Sequence, residues 1–228
     1  HRHREKLALL AGHEQPAQPE WVTPIARDYR GYSVHEIGPN GQGIAALMAL
    51  GMLEQFDLAS LPVDGADAQH LQIEAMKLAF ADTYHYVAEP ASMAVSAEQL
   101  LDSAYLKSRA KLIDARRAQD FGPGNPAQGG TIYLTAADEG GMMVSFIQSN
   151  YMGFGSGVVV PGYGVSLQNR GHGFSLRAAS PNVVAPGKRP FHTIIPAFLT
   201  KNGQPQMSFG VMGGNMQPQG HMQTLVRM

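Results

Sequence analysis

The chain changes its hydrophobic period once, and the change falls across a stretch that has no period at all. Up to Ile113 the apolar residues recur at helical spacing, whereas beyond Gly130 they alternate. Between the two, residues 116–130 read RRAQDFGPGNPAQGG, loaded with Gly, Pro, Asn and Gln, which predicts an exposed linker. Helices on one side of such a linker and period-two strands on the other predict an α+β fold in which a helical layer covers a sheet.

The elements follow from local pattern. WVTPIARDYRGYSVHEI, from Trp21 to Ile37, has β-branched and aromatic residues broken by Pro24 and Gly31, so it reads as one or two strands, and GPNGQG after it reads as a turn. Residues 41–56 place Ile44, Leu47, Met48, Met52 and Phe56 at helical spacing despite Gly51, predicting an amphipathic to buried helix. Asp57 to Gly65 reads as a loop. Residues 66–87 predict a second helix with Leu71, Ala75, Leu78, Ala79 and Asp82 on or near one face and Glu74 and Lys77 elsewhere. Ser96 with Gln99 fits a capping box, and short helices restarted at Asp102 carry the chain to Ile113.

Past the linker, Ile132, Leu134 and Ala136 alternate with Tyr133, Thr135 and Ala137. The DEGG turn reverses the chain and Met143 to Ile147 runs back as a hairpin partner. IPAFLT, KNG at 201–203 and QPQMSFGVM predict a second hairpin, and Met216 to Met228 the first turns of a helix packed on that sheet.

Composition narrows the function classes. At 44% hydrophobic and 15% charged, 228 residues suffice for one sizeable core. With 17 basic against 18 acidic residues the net charge is -1, so no electrostatic footprint points to nucleic acid or an anionic membrane. Small-molecule partners are favoured. The absence of cysteine rules out disulfides and thiolate chemistry and leaves the compartment, cytoplasmic or periplasmic, open. The nine histidines have no ligand spacing with acidic residues, so no metal and no cofactor is expected, and the twelve methionines read as core fillers. HRHREKLALLAGHEQ has too short an apolar run for an export signal. A chain that opens on His1 and ends on LVRM is expected to be a piece of something longer, with residues 1–20 a tail whose HRH start is open to a non-native reading.

Thr131 opens the first period-two strand directly behind two glycines. Alone, that is an ordinary way to start a strand. Together with YMGFGSG at 151–157, SPNVVAPGKRPFHTIIP at 180–196 and GVMGG at 210–214, it resembles the γ-glutamyltransferase (γ-glutamyl transpeptidase) family of N-terminal nucleophile hydrolases, which includes cephalosporin acylase-like members. The resemblance covers about residues 20–228. DYRGYSVHEIGPNGQGIAALMAL and ADAQHLQIEAMKLAFADTYHYVAEP resemble the end of the family's large subunit, so residues 21–130 would be its C-terminal part and 131–228 the first part of the small subunit.

The resemblance implies an αββα sandwich, here incomplete, and a precursor that cuts itself before Thr131. A threonine hydroxyl needs a base, and a free α-amino group with a reference pKa of about 7.7 to 8.0 can serve within the same residue once the Gly130-Thr131 bond is broken. It further implies Gly213 and Gly214 as oxyanion-hole glycines and Ser149 as the hydroxyl residue that supports the nucleophile, with FGSG at 154–157 fixing the register.

Other positions depart from the family pattern. Where its transferases read LNNQMDDFS this chain has LQNRGHGFS, with Arg170 in place of glutamine and Gly173 in place of the aspartate that grips the substrate's α-amino group. Tyr151 replaces an asparagine, and His192 and Thr193 replace a pair of serines that hold the α-carboxylate. A cation where an ammonium should dock is repulsive, by about 4 kcal/mol at ~4 Å and an effective dielectric near 20. This weakens the case for glutathione, and the expected substrate is an amide whose acyl group carries a carboxylate able to meet Arg170, such as a dicarboxylic acyl amide, or a γ-glutamyl compound bound in another pose, with a surface or salt-bridged Arg170 as the alternative.

Two readings without turnover stand beside this one: an inert fragment, and a binding domain that keeps the fold. The expected partners are the small-molecule substrate and the rest of the large subunit, which would supply an arginine for the substrate carboxylate. Exposed sheet edges would also allow a homodimer.

Overall fold

A computed structural model describes residues 20–121 and 130–228, so the expected tail and most of the linker lie outside the described residues. Two short strands, β1 (Ile25–Tyr29) and β2 (Tyr32–Glu36), pair around Arg30 and Gly31, which both adopt positive φ. Their sheet is completed from the far end of the chain. β2 pairs with β7 (Ala197–Lys201), which pairs with β8 (Gln204–Phe209), giving the antiparallel order β1-β2-β7-β8.

Helix α1 (Gly43–Leu53) lies on this sheet and is buried at all eleven positions. It is thus a core helix rather than an amphipathic one, and Phe56 falls beyond its end. It is walled in by α2 (Ala66–Tyr86), α4 (Ser103–Ala110) and α5 (Gln217–Val226), with the four-residue α3 (Ala97–Leu100) leading into α4. Ser96 and Gln99 close the expected capping box, and Asp102 caps α4 through Tyr105 N–H. Gly51 has a packing role. A Cβ there would stand 2.5 Å from both Arg27 Nε and Leu106 Cδ1, so the bare backbone lets Arg27 pass over α1 to reach Leu101 C=O and Glu54.

Two buried carboxylates show what a helical-face count misses. Glu74, expected away from the core face of α2, is buried, takes Lys77 at 2.7 Å and accepts the backbone N–H of Gln119 at 3.0 Å. The start of the linker is therefore tied down rather than free. Glu36 Oε1 lies 2.6 Å from His221 Nδ1 with both side chains fully buried, joining β2 to α5. Burial pushes this carboxyl up and the His221 imidazole opposes the shift.

Beyond the linker, β3 (Gly130–Ala137) and β4 (Met143–Tyr151) form the expected hairpin, turning at Asp138–Gly141. It lies against β7 and β8 through Ser145 Oγ to Ala197 C=O at 2.9 Å and through Thr135 and Ser208. Helices, sheet and second sheet bear out the α+β layered class. On the hairpin's outer face Ile132, Leu134, Val144 and Phe146 are exposed. A further small hairpin, β5 (Val159–Val160) with β6 (Val165–Ser166), was not expected from the pattern, because two-residue strands leave no period to read.

Candidate active site

The site begins at an irregularity in the first hairpin. β3 pairs regularly from Ala137 back to Ile132, opposite Gln148, but Gly130 pairs with Tyr151, so β4 carries one extra residue opposite Thr131. The bulge turns the Thr131 hydroxyl toward Ser149, Oγ1 to Oγ 3.4 Å, and Ser149 Oγ also accepts the Tyr151 N–H at 2.9 Å. Tyr151 accommodates the bend at φ +73, a left-handed conformation uncommon for an aromatic residue. The hydroxyl pair is longer than a good O–H···O bond, as is common at catalytic sites before substrate closes them.

The same face of β3 runs along the far end of β8. Thr135 meets Ser208, and the Tyr133 ring covers Gly210 so closely that a Cβ there would fall 2.6 Å from it. Gly213 and Gly214 have φ of +128 and +60, conformations that residues with a side chain rarely adopt. Gly213 C=O accepts Met216 N–H at 3.2 Å, and Gly214 C=O accepts Gln42 Nε2 at 2.8 Å. Among the described residues neither glycine N–H is spent on a backbone acceptor outside the helices and strands.

Arg170 closes the other side. It stands at the start of a short 3-10 turn, Arg170–Gly173, held by Gln168 on its backbone N–H. It is neither on the surface nor salt-bridged: its exposure is 8%, and it makes no ion pair among the described residues. Its guanidinium lies over the Tyr151 ring at 5.3 Å and touches Thr193 Oγ1 at 3.5 Å, while Nη2 is buried with no hydrogen-bond partner among the described residues. Burial pulls its pKa down, with no carboxylate to oppose it.

His192, beside Thr193, has a partnerless buried Nδ1, and its pKa is lowered to about 4, by burial first and then by Arg170 and Arg189. It is therefore neutral near pH 7. Gly173, read as standing in place of the resembling family's aspartate, abuts the Phe191 carbonyl, which a Cβ would approach to 2.8 Å. No side chain fits there without a backbone shift.

A cleft of about 890 Å³ opens beside these groups, walled by Tyr84, Tyr151, Phe174, Phe191, Thr193 and Asn215 among others. Burial raises the Tyr84 hydroxyl to about 12, against a hydrogen bond from Asn215 that lowers it. The structure thus links Thr131, Ser149, Tyr151, Arg170 and Thr193 by direct contacts, and Gln42 joins Thr193 to Gly214. Tyr84, Asn215 and Gln42 were not singled out from sequence: Tyr84 lies inside an ordinary helical pattern, Asn215 follows the glycines, and Gln42 sits in what reads as a turn. Among the described residues no group of three or more His, Asp or Glu is placed to hold a metal, and no helix is long and apolar enough to cross a membrane.

Helices over antiparallel sheets, with a hydroxyl pair at the bulged start of one strand, define an N-terminal nucleophile type of fold. Comparison with known proteins gives the family. The Gamma-glutamyltranspeptidase family model matches residues 15–228, and the chain belongs to that family. It is 39% identical over 211 residues to the glutathione hydrolase-like YwrD proenzyme of Bacillus subtilis, covering 92% of this chain and 39% of that protein. It is 38% identical over 213 residues to the oxamate amidohydrolase proenzyme of Klebsiella pneumoniae, covering 93% of this chain and 40% of the relative. The crystal structure of cephalosporin acylase from Bacillus halodurans superposes with a TM-score of 0.85 at 57% identity, over 92% of this chain and 38% of that one. The chain therefore spans about two fifths of the length of these relatives.

Proposed function

We propose that this chain carries the catalytic junction of a self-processing amidase or acyltransferase, in which residues 21–130 end the large subunit and Thr131 begins the small one. The observation that carries the reading is the Thr131–Ser149 hydroxyl pair at the bulged start of β3. In the uncut chain the Thr131 hydroxyl adds to the Gly130 carbonyl carbon, the C–N bond breaks as the Thr131 nitrogen takes a proton, and water hydrolyses the resulting ester. A free α-amine and a free hydroxyl remain on one residue.

In turnover that amine accepts the hydroxyl proton as Oγ1 attacks the substrate carbonyl. The oxyanion falls to the N–H groups of Gly213 and Gly214, donors of a kind worth about 3 kcal/mol each. The proton passes to the departing amine, leaving an acyl ester on Thr131 that water or an acceptor amine resolves.

Arg170 supports an acyl group with its own carboxylate. A buried guanidinium without an anion is costly, and a carboxylate docking against Nη2 supplies the missing partner. The names of the relatives are compatible with this range, since oxamate and glutathione both carry carboxylates. The partners are thus the small carboxylated amide and the remainder of the processed heterodimer.

The test is a variant series in the full-length protein. Thr131→Ala should leave the chain uncut and without hydrolysis of γ-glutamyl- or glutaryl-p-nitroanilide, and Thr131→Ser should restore part of both. Turnover by Thr131→Ala would refute the assignment.

A further inference from the structure

The segment Gly38–Gly43, which reads in sequence as a turn, is built into the site. Asn40 donates Nδ2 to Pro190 C=O at 2.5 Å, His192 N–H donates to Asn40 C=O at 3.2 Å, and Gln42 N–H donates to His192 C=O at 3.2 Å. Gly41 and His192 pair as an isolated parallel bridge. The segment is thus an added rung along residues 190–193.

From that rung Gln42 reaches further. Its side chain is fully buried, and Nε2 donates to Thr193 C=O at 2.9 Å and to Gly214 C=O at 2.8 Å, using both amide hydrogens on two separate segments. One segment carries Thr193, which touches Arg170, and the other carries the two positive-φ glycines. A glycine pair has little steric restraint of its own, so the orientation of its peptide planes depends on the hydrogen bonds that hold the segment on both sides. Met216 N–H holds the Gly213 carbonyl, which shares a peptide plane with the Gly214 N–H, and the Gly214 carbonyl accepts both Gln217 N–H and Gln42 Nε2, of which only Gln42 ties it to the Thr193 segment. Preorganised donors stabilise a developing oxyanion only while they are fixed in direction.

We propose that Gln42 is a positioning residue of the reaction, a single amide supplied from before Thr131 that fixes the Gly213–Gly214 donors at a set distance from the Thr193 side of the site. This rests on the reading of Thr131 as nucleophile. It adds a geometric reason for the two parts of the chain to stay joined after cleavage, because the oxyanion donors of one are oriented by a side chain of the other.

Gln42→Met in the full-length protein is the informative variant, since it keeps the length and near-linear shape of the side chain and removes both donors. The expected result on processed enzyme with glutaryl-p-nitroanilide is a fall in kcat of about ten- to hundredfold, in the range of a misplaced catalytic group, with KM within about threefold. A kcat within about twofold of wild type, or a change confined to KM, overturns the proposal.

Amide hydrogen exchange in a Thr131→Ala background reads the clamp without turnover. Gln42→Met should speed exchange at residues 213–216 and leave β1 and β2 unchanged. Unaltered exchange at 213–216, or an equal rise throughout the chain, also overturns it. If the wild-type protein is never cut, the nucleophile assignment fails by itself, and the exchange result still decides whether Gln42 holds the glycines.

Discussion

Replacing Arg170 by glutamine, the residue that transferases of the resembling family carry there, should lower activity and not lower stability. The guanidinium is buried, Nη2 has no hydrogen-bond partner among the described residues, and its nearest contacts are a hydroxyl at 3.5 Å and an aromatic face at 5.3 Å. A carboxylate drawn to about 4 Å gains roughly 4 kcal/mol at an effective dielectric near 20, and part of this is spent in stripping its water. Charged hydrogen bonds of this kind retain about 2 to 3 kcal/mol, which corresponds to a fall of about 30- to 160-fold in kcat/KM.

The loss should be confined to anionic acyl groups. Glutaryl-p-nitroanilide and butyryl-p-nitroanilide, compared on processed enzyme, read the difference, with the neutral substrate expected within about threefold of wild type. The melting temperature should hold or rise, because removing an unpaired buried charge relieves a desolvation cost. The His192 imidazole, held at about 4 in part by Arg170, should titrate higher in the variant. Equal losses on both substrates with a lower melting temperature would show Arg170 to be a structural cation and refute the reasoning.

Ser149→Ala removes the partner of the Thr131 hydroxyl and the acceptor of the Tyr151 N–H, and should slow both self-cleavage and hydrolysis by about tenfold or more, with Ser149→Thr recovering most of the rate; unchanged cleavage kinetics would contradict this. His192 predicts an acid-side loss of stability. Its folded pKa of about 4 lies below the ordinary 6.5, so the unfolded chain binds a proton that the folded chain refuses. The stabilisation is complete above that ordinary value and drains away as pH falls toward 4, by on the order of 3 kcal/mol at most. Melting temperature against pH should be flatter over that window for His192→Gln, and parallel curves would exclude the assignment.

What could be read in the sequence was whatever repeats locally. Helices α1 and α2 and the β3–β4 hairpin follow from period, and the capping box at Ser96 from a four-residue pattern. The candidate site was legible through order and spacing of motifs, which single out Thr131, Ser149 and the two glycines. Long-range partnerships were not legible. Ser33 pairs with Thr200, and Glu74 is buried because Gln119 reaches back to it, and no window of the chain contains both members of either pair. Gln42 was hidden for a different reason. Three glycines around it signal a turn, and the signal is silent about a side chain that leaves the turn to hold two distant carbonyls.

On the proposed function, Thr131 makes itself the first residue of a chain. Intact mass of the purified full-length protein, followed by N-terminal sequencing of each piece, tests it most directly. The account predicts two chains, the smaller beginning TIYL, and a further mass increase of one acyl group on that smaller chain when a slow glutaryl ester is added. A single uncut chain under conditions where the protein is folded, or a cut at any other bond, would contradict it.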